Sequence, residues 1–513
     1  MSICNLHPAC TPGSFNFPAI SGTSLLAIEA TPVTNYSSSG WYQNNGPITL
    51  SGLEFCNVSL TYSHTNANDH VSVQVWLPSS DSWNERMVGG GGGGVGAGLF
   101  DQAYVVMAGA VNEGYVSIGT SAGVARDIYQ WALKEDGDVN WDLLENLGSR
   151  SLGELAVIGK SVVRQFYGRE PRYSYWNGCS QGGRQGYELA QRFPGAFDGI
   201  AASAPAINWN RDLVAGLWAP VFMNMNGYPY NCEVSAITSA AISACDPLDG
   251  VTDGVITDTS LCTFDPRSQI GKEVDCLADS RLPKVKITPS AAALIQAIWD
   301  GAKHPDNSSM FPGYTKETMT GGSFGTTGTT CTNGTCIPSG YPLSRDWIRL
   351  FLLRDPAANL WNATWEEWDK WFYESVQRYG KFIETNSTDL RAFGQCGGKL
   401  LTFHGGADQL ITPKNSEAYY DEVTSVDPDI HDYYRLFLAP GVQHCNGGPG
   451  AFPYDTFKAL VKWVEEGIAP ETLPARSIPK GNETVFERKL CAYPKKQFYN
   501  GGDVNSADSF GCR

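Results

Sequence analysis

The chain lacks any uninterrupted apolar stretch near the roughly 18 residues that a membrane helix needs, so no membrane span is expected. It is short of positive charge: 37 Lys and Arg stand against 53 Asp and Glu, for a formal net charge of −16. A nucleic-acid backbone is a polyanion that calls for clustered Lys and Arg, so nucleic acid is excluded as a partner. No internal repeat is visible, which excludes solenoids and propellers. No two Cys-x-x-Cys motifs stand at zinc-finger spacing, which leaves a thiolate metal site poorly supported. Histidine is scarce, with 7 in the chain, so few positions can supply an imidazole. The first ten residues, MSICNLHPAC, hold no apolar h-region. Either the protein stays inside the cell or a secretory leader is missing from this sequence.

Cysteine favours the second alternative. There are 14, an even number, and Asn-x-Ser/Thr sequons stand at Asn35, Asn57, Asn307, Asn333, Asn362, Asn386 and Asn482. Together they point to a secreted glycoprotein stapled by disulfides. A length of 513 residues, with 42% hydrophobic and 18% charged residues, fits a globular protein of two domains, or one large domain with an insertion. Aromatic residues make up 12%. A large core with rigid loops accounts for that; a surface for carbohydrate or aromatic ligands is the alternative.

Up to about residue 120 the sequence reads as strands and turns: HVSVQVWLP from His70 alternates, and YVVMAG and YVSIGT are short β-rich runs. Between the first and second lie six consecutive glycines, Gly89 to Gly94, suited to a backbone that must approach something closely. An amphipathic helix is predicted from Leu147 to Gly168. RYSYWNG then reads as a strand, GGRQGYELAQRFPG as a helix and FDGIAASAPA as a buried strand. From about Trp209 to Gln395 the character changes to polar turns and short helices. Trp361, Trp365, Trp368 and Phe372 recur on one helical face, which packs on its own domain or, alternatively, stacks a substrate. After Cys396 the α/β pattern resumes. KLLTFHGGADQLI and DYYRLFLAPGVQHC are strands with loops, and YDTFKALVKWVEEG is a closing helix. The expected fold is an α/β sheet interrupted by a long insertion, with 1–208 and 396–513 as the main domain and 209–395 as the insert.

Gly178-x-Ser180-x-Gly182 falls between the predicted strand and helix, the context of a nucleophile elbow. Serine needs an imidazole to take its proton, and the imidazole needs a carboxylate to fix its tautomer. In the order Ser, acid, His, the chain offers Ser180, Asp408 in HGGADQLITP and His444 in APGVQHCNGG, each in a loop after a predicted strand. His404 and His431 are set aside. Cys179 and Cys445 are the immediate neighbours of Ser180 and His444. If serine and histidine meet, these cysteines fall within the roughly 4.4–6.8 Å Cα separation of a disulfide, which would strap the two loops together. An oxyanion hole needs backbone N–H donors, and Gln181, after the nucleophile, is one candidate. In CDPLDGVTDGVITDTSLC, Asp246, Asp249 and Asp253 crowd three carboxylates between Cys245 and Cys262, which are expected to pair. The segment is either a solvated acidic turn or a loop for a hard cation such as calcium; its spacing is not that of an EF-hand.

GCSQGGRQG, HGGADQLITP and PGVQHC, with the paired cysteines, resemble the fungal tannase and feruloyl esterase family over nearly the whole chain. The resemblance implies an α/β-hydrolase with a large lid, here 209–395. It implies Ser180 as nucleophile, Asp408 as acid, His444 as base and Cys179–Cys445 as the linking disulfide. It implies a second oxyanion donor in the glycine run, Gly92 or Gly93. It implies a structural calcium in the lid, held by Asp246, Asp249 and Asp253 with the carbonyls of Val251 and Val255. Where family members often show Thr-Asp-x-Gly-His, this chain has Gly-Thr-Ser-Ala-Gly from Gly119. The implied substrates are small phenolic esters, sugar-linked: a feruloyl esterase releasing hydroxycinnamates from plant cell-wall esters, or a tannase releasing gallate. The reading from another class is a catalytically silent hydrolase fold that binds a phenolic or glycan ligand.

Overall fold

The computed structural model describes residues 9–277, 282–322, 325–332, 335–479, 481 and 484–513. One sheet of nine strands organises the molecule: β1 (Thr23–Tyr42), β2 (Gly46–His64), β3 (Val71–Leu77), β4 (Arg86–Gly90), β5 (Val116–Thr120), β6 (Tyr173–Cys179), β7 (Gly199–Ser203), β8 (Lys399–Gly405) and β9 (Tyr434–Ala439). Their spatial order is β1-β2-β3-β5-β4-β6-β7-β8-β9. β1, β2, β3 and β5 pair antiparallel. From β5 to β9 the strands run parallel. The residue pattern explains the division. β3 alternates, with Val71, Val73 and Val75 wholly buried, as on a sheet with one covered face. β5 and β7 are buried at every position, as strands covered on both faces must be.

Helices α1 (Asp101–Asn112), α2 (Ser151–Tyr167) and α3 (Gln181–Arg192) flank the sheet. The run YVVMAG, expected as a strand, lies inside α1 instead. The helix is apolar because Val106 to Val111 are all buried, and a short apolar run carries no period that separates a buried helix from a strand. The helix expected from Leu147 begins at Ser151, after a π-helical turn at Asn146–Arg150.

β7 and β8 are sheet neighbours, with Gly199 opposite Lys399. Between them the chain forms α4 (Trp209–Ala215), α5 (Trp218–Asn226), α6 (Asn231–Cys245), α7 (Pro289–Asp300) and α8 (Trp365–Ile383), with short hairpins. Trp368 is fully buried, stacks on Trp218 at 5.2 Å between ring centroids and donates its indole N–H to the Val214 carbonyl at 2.7 Å. Trp368 and Phe372 therefore pack inside this region, as expected, while Trp361 precedes the helix. The same core includes Val95, Ala97, Ala122, Trp131 and Leu147. The inserted segment thus shares its hydrophobic interior with the loops after β4 and β5. Helices α9 (Pro413–Val426) and α10 (Thr456–Glu466) complete the layers around the sheet.

Six disulfides link described residues: Cys10–Cys56, Cys179–Cys445, Cys232–Cys276, Cys245–Cys262, Cys331–Cys336 and Cys491–Cys512. The two expected pairs are among them. Cys396 is exposed and joins no disulfide among the described residues; Cys4 lies outside those residues. Of the sequons, Asn35, Asn307 and Asn362 are exposed, and Asn57 and Asn386 are half-buried. Asn386 donates its amide to Asn208 Oδ1 at 2.9 Å. Asn333 and Asn482 lie outside the described residues. Among the described residues no helix is long and apolar enough to cross a membrane.

Candidate active site

Ser180 sits between β6 and α3 with φ 64° and ψ −121°, a conformation that non-glycine residues rarely adopt and that surrounding contacts must hold. Its N–H donates to the Ser203 carbonyl at 3.0 Å, and its carbonyl accepts from Arg184 N at 2.9 Å. Small residues make the turn possible. A Cβ on Gly178 would collide with the Gly182 carbonyl, and one on Gly183 would stand 2.5 Å from the Ser203 carbonyl. Arg184 is buried with its burial pushing the guanidinium down to about 10. It donates to the carbonyls of Leu147 and Gly148 and to Gln181 Oε1, tying α3 to the π-helical turn.

Asp408 follows β8 and is wholly buried. Its Oδ2 lies 2.8 Å from His444 Nδ1, and its Oδ1 accepts from the N–H groups of Leu410 and Ile411, both at 2.9 Å. Burial alone would raise this carboxyl. The charge of His444 and the hydrogen bonds from His404 and His444 overcome that and hold it well below the usual carboxylate range. His444, in the loop after β9, is nearly buried and leaves Nε2 without a protein partner among the described residues. The Cys179–Cys445 disulfide, with Cα atoms 6.0 Å apart, binds the residue before Ser180 to the residue after His444. Serine, acid and histidine thus come together at the ends of β6, β8 and β9.

Two side chains set aside or passed over in the sequence belong to this constellation. His404 is fully buried; its Nε2 lies 2.9 Å from the Ile411 carbonyl and 3.2 Å from Asp408 Oδ2, and its Nδ1 2.8 Å from Ser416 Oγ. The four-residue spacing to Asp408 was its one sequence signal. Glu317, from the inserted segment, accepts from Gly441 N and Ile256 N, both at 3.2 Å. It braces the histidine loop from below; burial, opposed by those two hydrogen bonds, pushes it up to about 7. Nothing in its sequence neighbourhood marked it.

The glycine run needs a correction. Gly92 N–H donates to Gln185 Oε1 at 2.7 Å, and Gly93 N–H donates to the Gly96 carbonyl at 3.1 Å. Neither is free to meet an oxyanion. The run is glycine because backbones touch: a Cβ on Gly91 would stand 2.6 Å from Gly182 Cα, and one on Gly92 would collide with the carbonyls of Gly96 and Ala97. Gly182 N–H also donates to the Gly92 carbonyl at 3.0 Å. The loop therefore holds the elbow. Gln181, the first residue of α3, keeps its place, since the first amides of a helix have no intrahelical partner.

The acidic loop turns at Gly250 and Gly254, both at positive φ. Asp246 accepts from the N–H groups of Asp253 and Gly254, Asp249 from Val251 and Thr257, and Asp253 from Val255. Arg488 pairs with Asp253 at 2.5 Å. Burial raises Asp253, Arg488 opposes, and Asp246 and Asp249 raise it further. The oxygen-only donors suit a hard cation. Their placement does not yet do so: among the described residues no group of three or more His, Cys, Asp or Glu side chains is arranged to hold a metal ion.

A serine elbow after a parallel strand, in a sheet of this strand order whose later strands end at a buried aspartate and its paired histidine, defines an α/β-hydrolase fold. The chain belongs to the tannase and feruloyl esterase family, whose description matches residues 56–513, and it is a carboxylic ester hydrolase. It is 43% identical over 471 residues to a "Probable feruloyl esterase" of Arthroderma benhamiae, covering 90% of this chain and 86% of that one. It is 29% identical over 560 residues to a tannase of Aspergillus oryzae, covering 98% and 92%. Among solved structures, the tannin acyl hydrolase of Aspergillus niger superposes with a TM-score of 0.88 at 26% identity, covering 98% and 95%.

Proposed function

We propose that this protein is a secreted feruloyl esterase that frees hydroxycinnamic acids from sugar-linked plant cell-wall esters. The observation that carries the chemistry is the 2.8 Å pairing of His444 Nδ1 with Asp408 beside the Cys179–Cys445 strap. Ser180 Oγ attacks the ester carbonyl while His444 Nε2 takes its proton. The tetrahedral intermediate collapses, the C–O bond to the alcohol breaks, and His444 returns the proton to the leaving alkoxide. Water, deprotonated by His444, then attacks the acyl-enzyme, and the acid leaves as Ser180 regains its proton. Asp408 keeps the imidazole proton on Nδ1 throughout. The Gln181 N–H supplies one oxyanion donor.

The 43% likeness to a feruloyl esterase supports cinnamoyl over galloyl esters. The fit to a tannin acyl hydrolase supports tannase as the second reading. Residues 209–395 act as the lid. The disulfides support secretion, and glycans belong at the exposed Asn35, Asn307 and Asn362. Calcium would draw Asp246, Asp249 and Asp253 together with the carbonyls of Val251 and Val255 and rigidify the lid away from the ester. Titration with calcium should raise Tm, and an unchanged Tm would count against the ion. The deciding assay compares methyl ferulate, methyl caffeate and methyl gallate, with Ser180→Ala as blank. Preference for the cinnamates supports the first reading and preference for gallate the second; turnover by the blank would remove Ser180 as nucleophile.

A further inference from the structure

The hairpin of β1 and β2 reaches far from its base and buries almost nothing on the way. Between Thr23 and Glu54 only Tyr42, Gln43, Asn44 and Gly46 are buried, and all lie at its tip. Aromatic rings seat that tip. Trp41 meets Phe452 edge to face at 4.7 Å between ring centroids. Tyr42 packs so close to α1 that a Cβ on Gly109 would stand 2.8 Å from its ring. Asn44 follows with φ 63°, a left-handed conformation that asparagine tolerates better than most residues.

The side chain of Asn44 is buried and uses both its donor and its acceptor. Its amide donates to Asn177 Oδ1 at 2.6 Å and to the Gly178 carbonyl at 3.3 Å. Its Oδ1 accepts from Ser203 Oγ at 2.5 Å. At the start of α10, Phe457 N–H donates to the Asn44 carbonyl at 3.2 Å. Asn177 and Gly178 lie at the end of β6, just ahead of Ser180. Ser203 ends β7, stands opposite Cys179 in register and accepts the Ser180 N–H through its own carbonyl. One side chain therefore joins the two strand ends that hold the strained serine.

We propose that Asn44 is a positioning residue for Ser180, carried to the elbow by the hairpin. The inference rests on the esterase reading above and adds a segment remote from the triad in sequence to what holds the nucleophile. Asn44 fixes the spacing of Gly178 and Ser203, and with it the backbone angles that aim Ser180 Oγ. Small misplacements of a reacting group cost rate steeply.

The experiment measures kcat and KM on methyl ferulate, and the rate at which a fluorophosphonate labels Ser180, in the wild type, Asn44→Gly, Asn44→Asp and Ser203→Ala, all well below Tm. Asn44→Gly keeps the left-handed backbone and removes the amide. Asn44→Asp keeps an acceptor for Ser203 and sets an oxygen against Asn177 Oδ1 and the Gly178 carbonyl. The expected result is that kcat and the labelling rate each fall about tenfold or more in both Asn44 variants, with KM changed by less than about twofold. Ser203→Ala should move both rates the same way by less, since it removes one of the hydrogen bonds. A lower Tm with kcat and labelling at wild-type values overturns the inference and leaves the tip a structural anchor. A rise in KM alone overturns it too. If neither Asn44 variant folds, Ser203→Ala decides by the same two rates. Failure of the underlying reading looks different: the wild type then turns over neither methyl ferulate nor methyl gallate, and Ser180 takes no label.

Discussion

Cys179 and Cys445 are 266 residues apart in the chain and 6.0 Å apart at Cα, joined by a disulfide. One precedes the serine of the elbow and the other follows the histidine. The bond holds two loops on strands β6 and β9, which are separated in the sheet by β7 and β8. Replacing both cysteines with serine should lower Tm and reduce kcat together. Chain-entropy arguments for so long a loop give on the order of 5 kcal/mol before native-state relaxation. Thermal unfolding and turnover of one ester check this; a double variant with wild-type kcat would show that packing alone positions the histidine.

Asp408 presents both oxygens to partners, and only one of them is His444. Asp408→Asn should cost about 10⁴-fold in kcat, because the imidazole is then held in the wrong tautomer. His404→Ala should cost roughly tenfold in kcat with little change in KM, since His404 acts through the orientation of Asp408 and does not reach the ester. Steady-state kinetics on methyl ferulate separate the two, and a His404 variant that changes KM alone would remove it from the positioning chain.

His64 lies between two carboxylates, 2.6 Å from Asp69 and 2.8 Å from Glu154. Burial lowers its pKa, but the hydrogen bonds to Glu154 and Asp69 and the charge of Glu154 outweigh that, so the net shift is upward. Burial raises Asp69, and the hydrogen bonds from His64 and Asn146 bring it down overall. A raised histidine contributes stability below its unfolded value near 6.5 and loses it as pH rises through the folded value. A lowered aspartate contributes above its unfolded value of about 3.9 and loses it as pH falls through the folded value. The pair therefore stabilises most between about pH 4 and 6.5. His64→Gln should lower Tm by a few degrees in that window, and the gap should narrow toward pH 9. A gap independent of pH would show that the imidazole acts by packing.

Gly91→Ala places a Cβ between the Cα atoms of Gly182 and Gly178, at 2.6 and 3.1 Å. Both neighbours are backbone, so the loop or the elbow must shift, at a cost of about 1–3 kcal/mol. Tm should drop and kcat/KM should fall at least tenfold. Wild-type values for both would show that the crossing is looser than the structure has it.

The sequence by itself determined the parts that local chemistry writes. Gly178, Ser180 and Gly182 specify an elbow because only small residues fit beside a strained serine. The order of Ser180, Asp408 and His444 after three buried strands placed the constellation, and the paired cysteine neighbours predicted its strap. The tertiary structure decided what depends on partners far along the chain. YVVMAG became helix with Val106 to Gly109 buried and Tyr104 and Val105 half-exposed, a placement that no local period encodes. Gly92 and Gly93 hold the elbow through Gln185 and Gly96, so their amides are spent where the sequence offered them to an oxyanion. Glu317 entered the site because the inserted segment folds back against the histidine loop, and His404 because β8 and the chain that follows it bring its ring against Asp408 and Ser416. Short-range pattern records which side chains can do chemistry; burial and charge between distant residues fix which of them do.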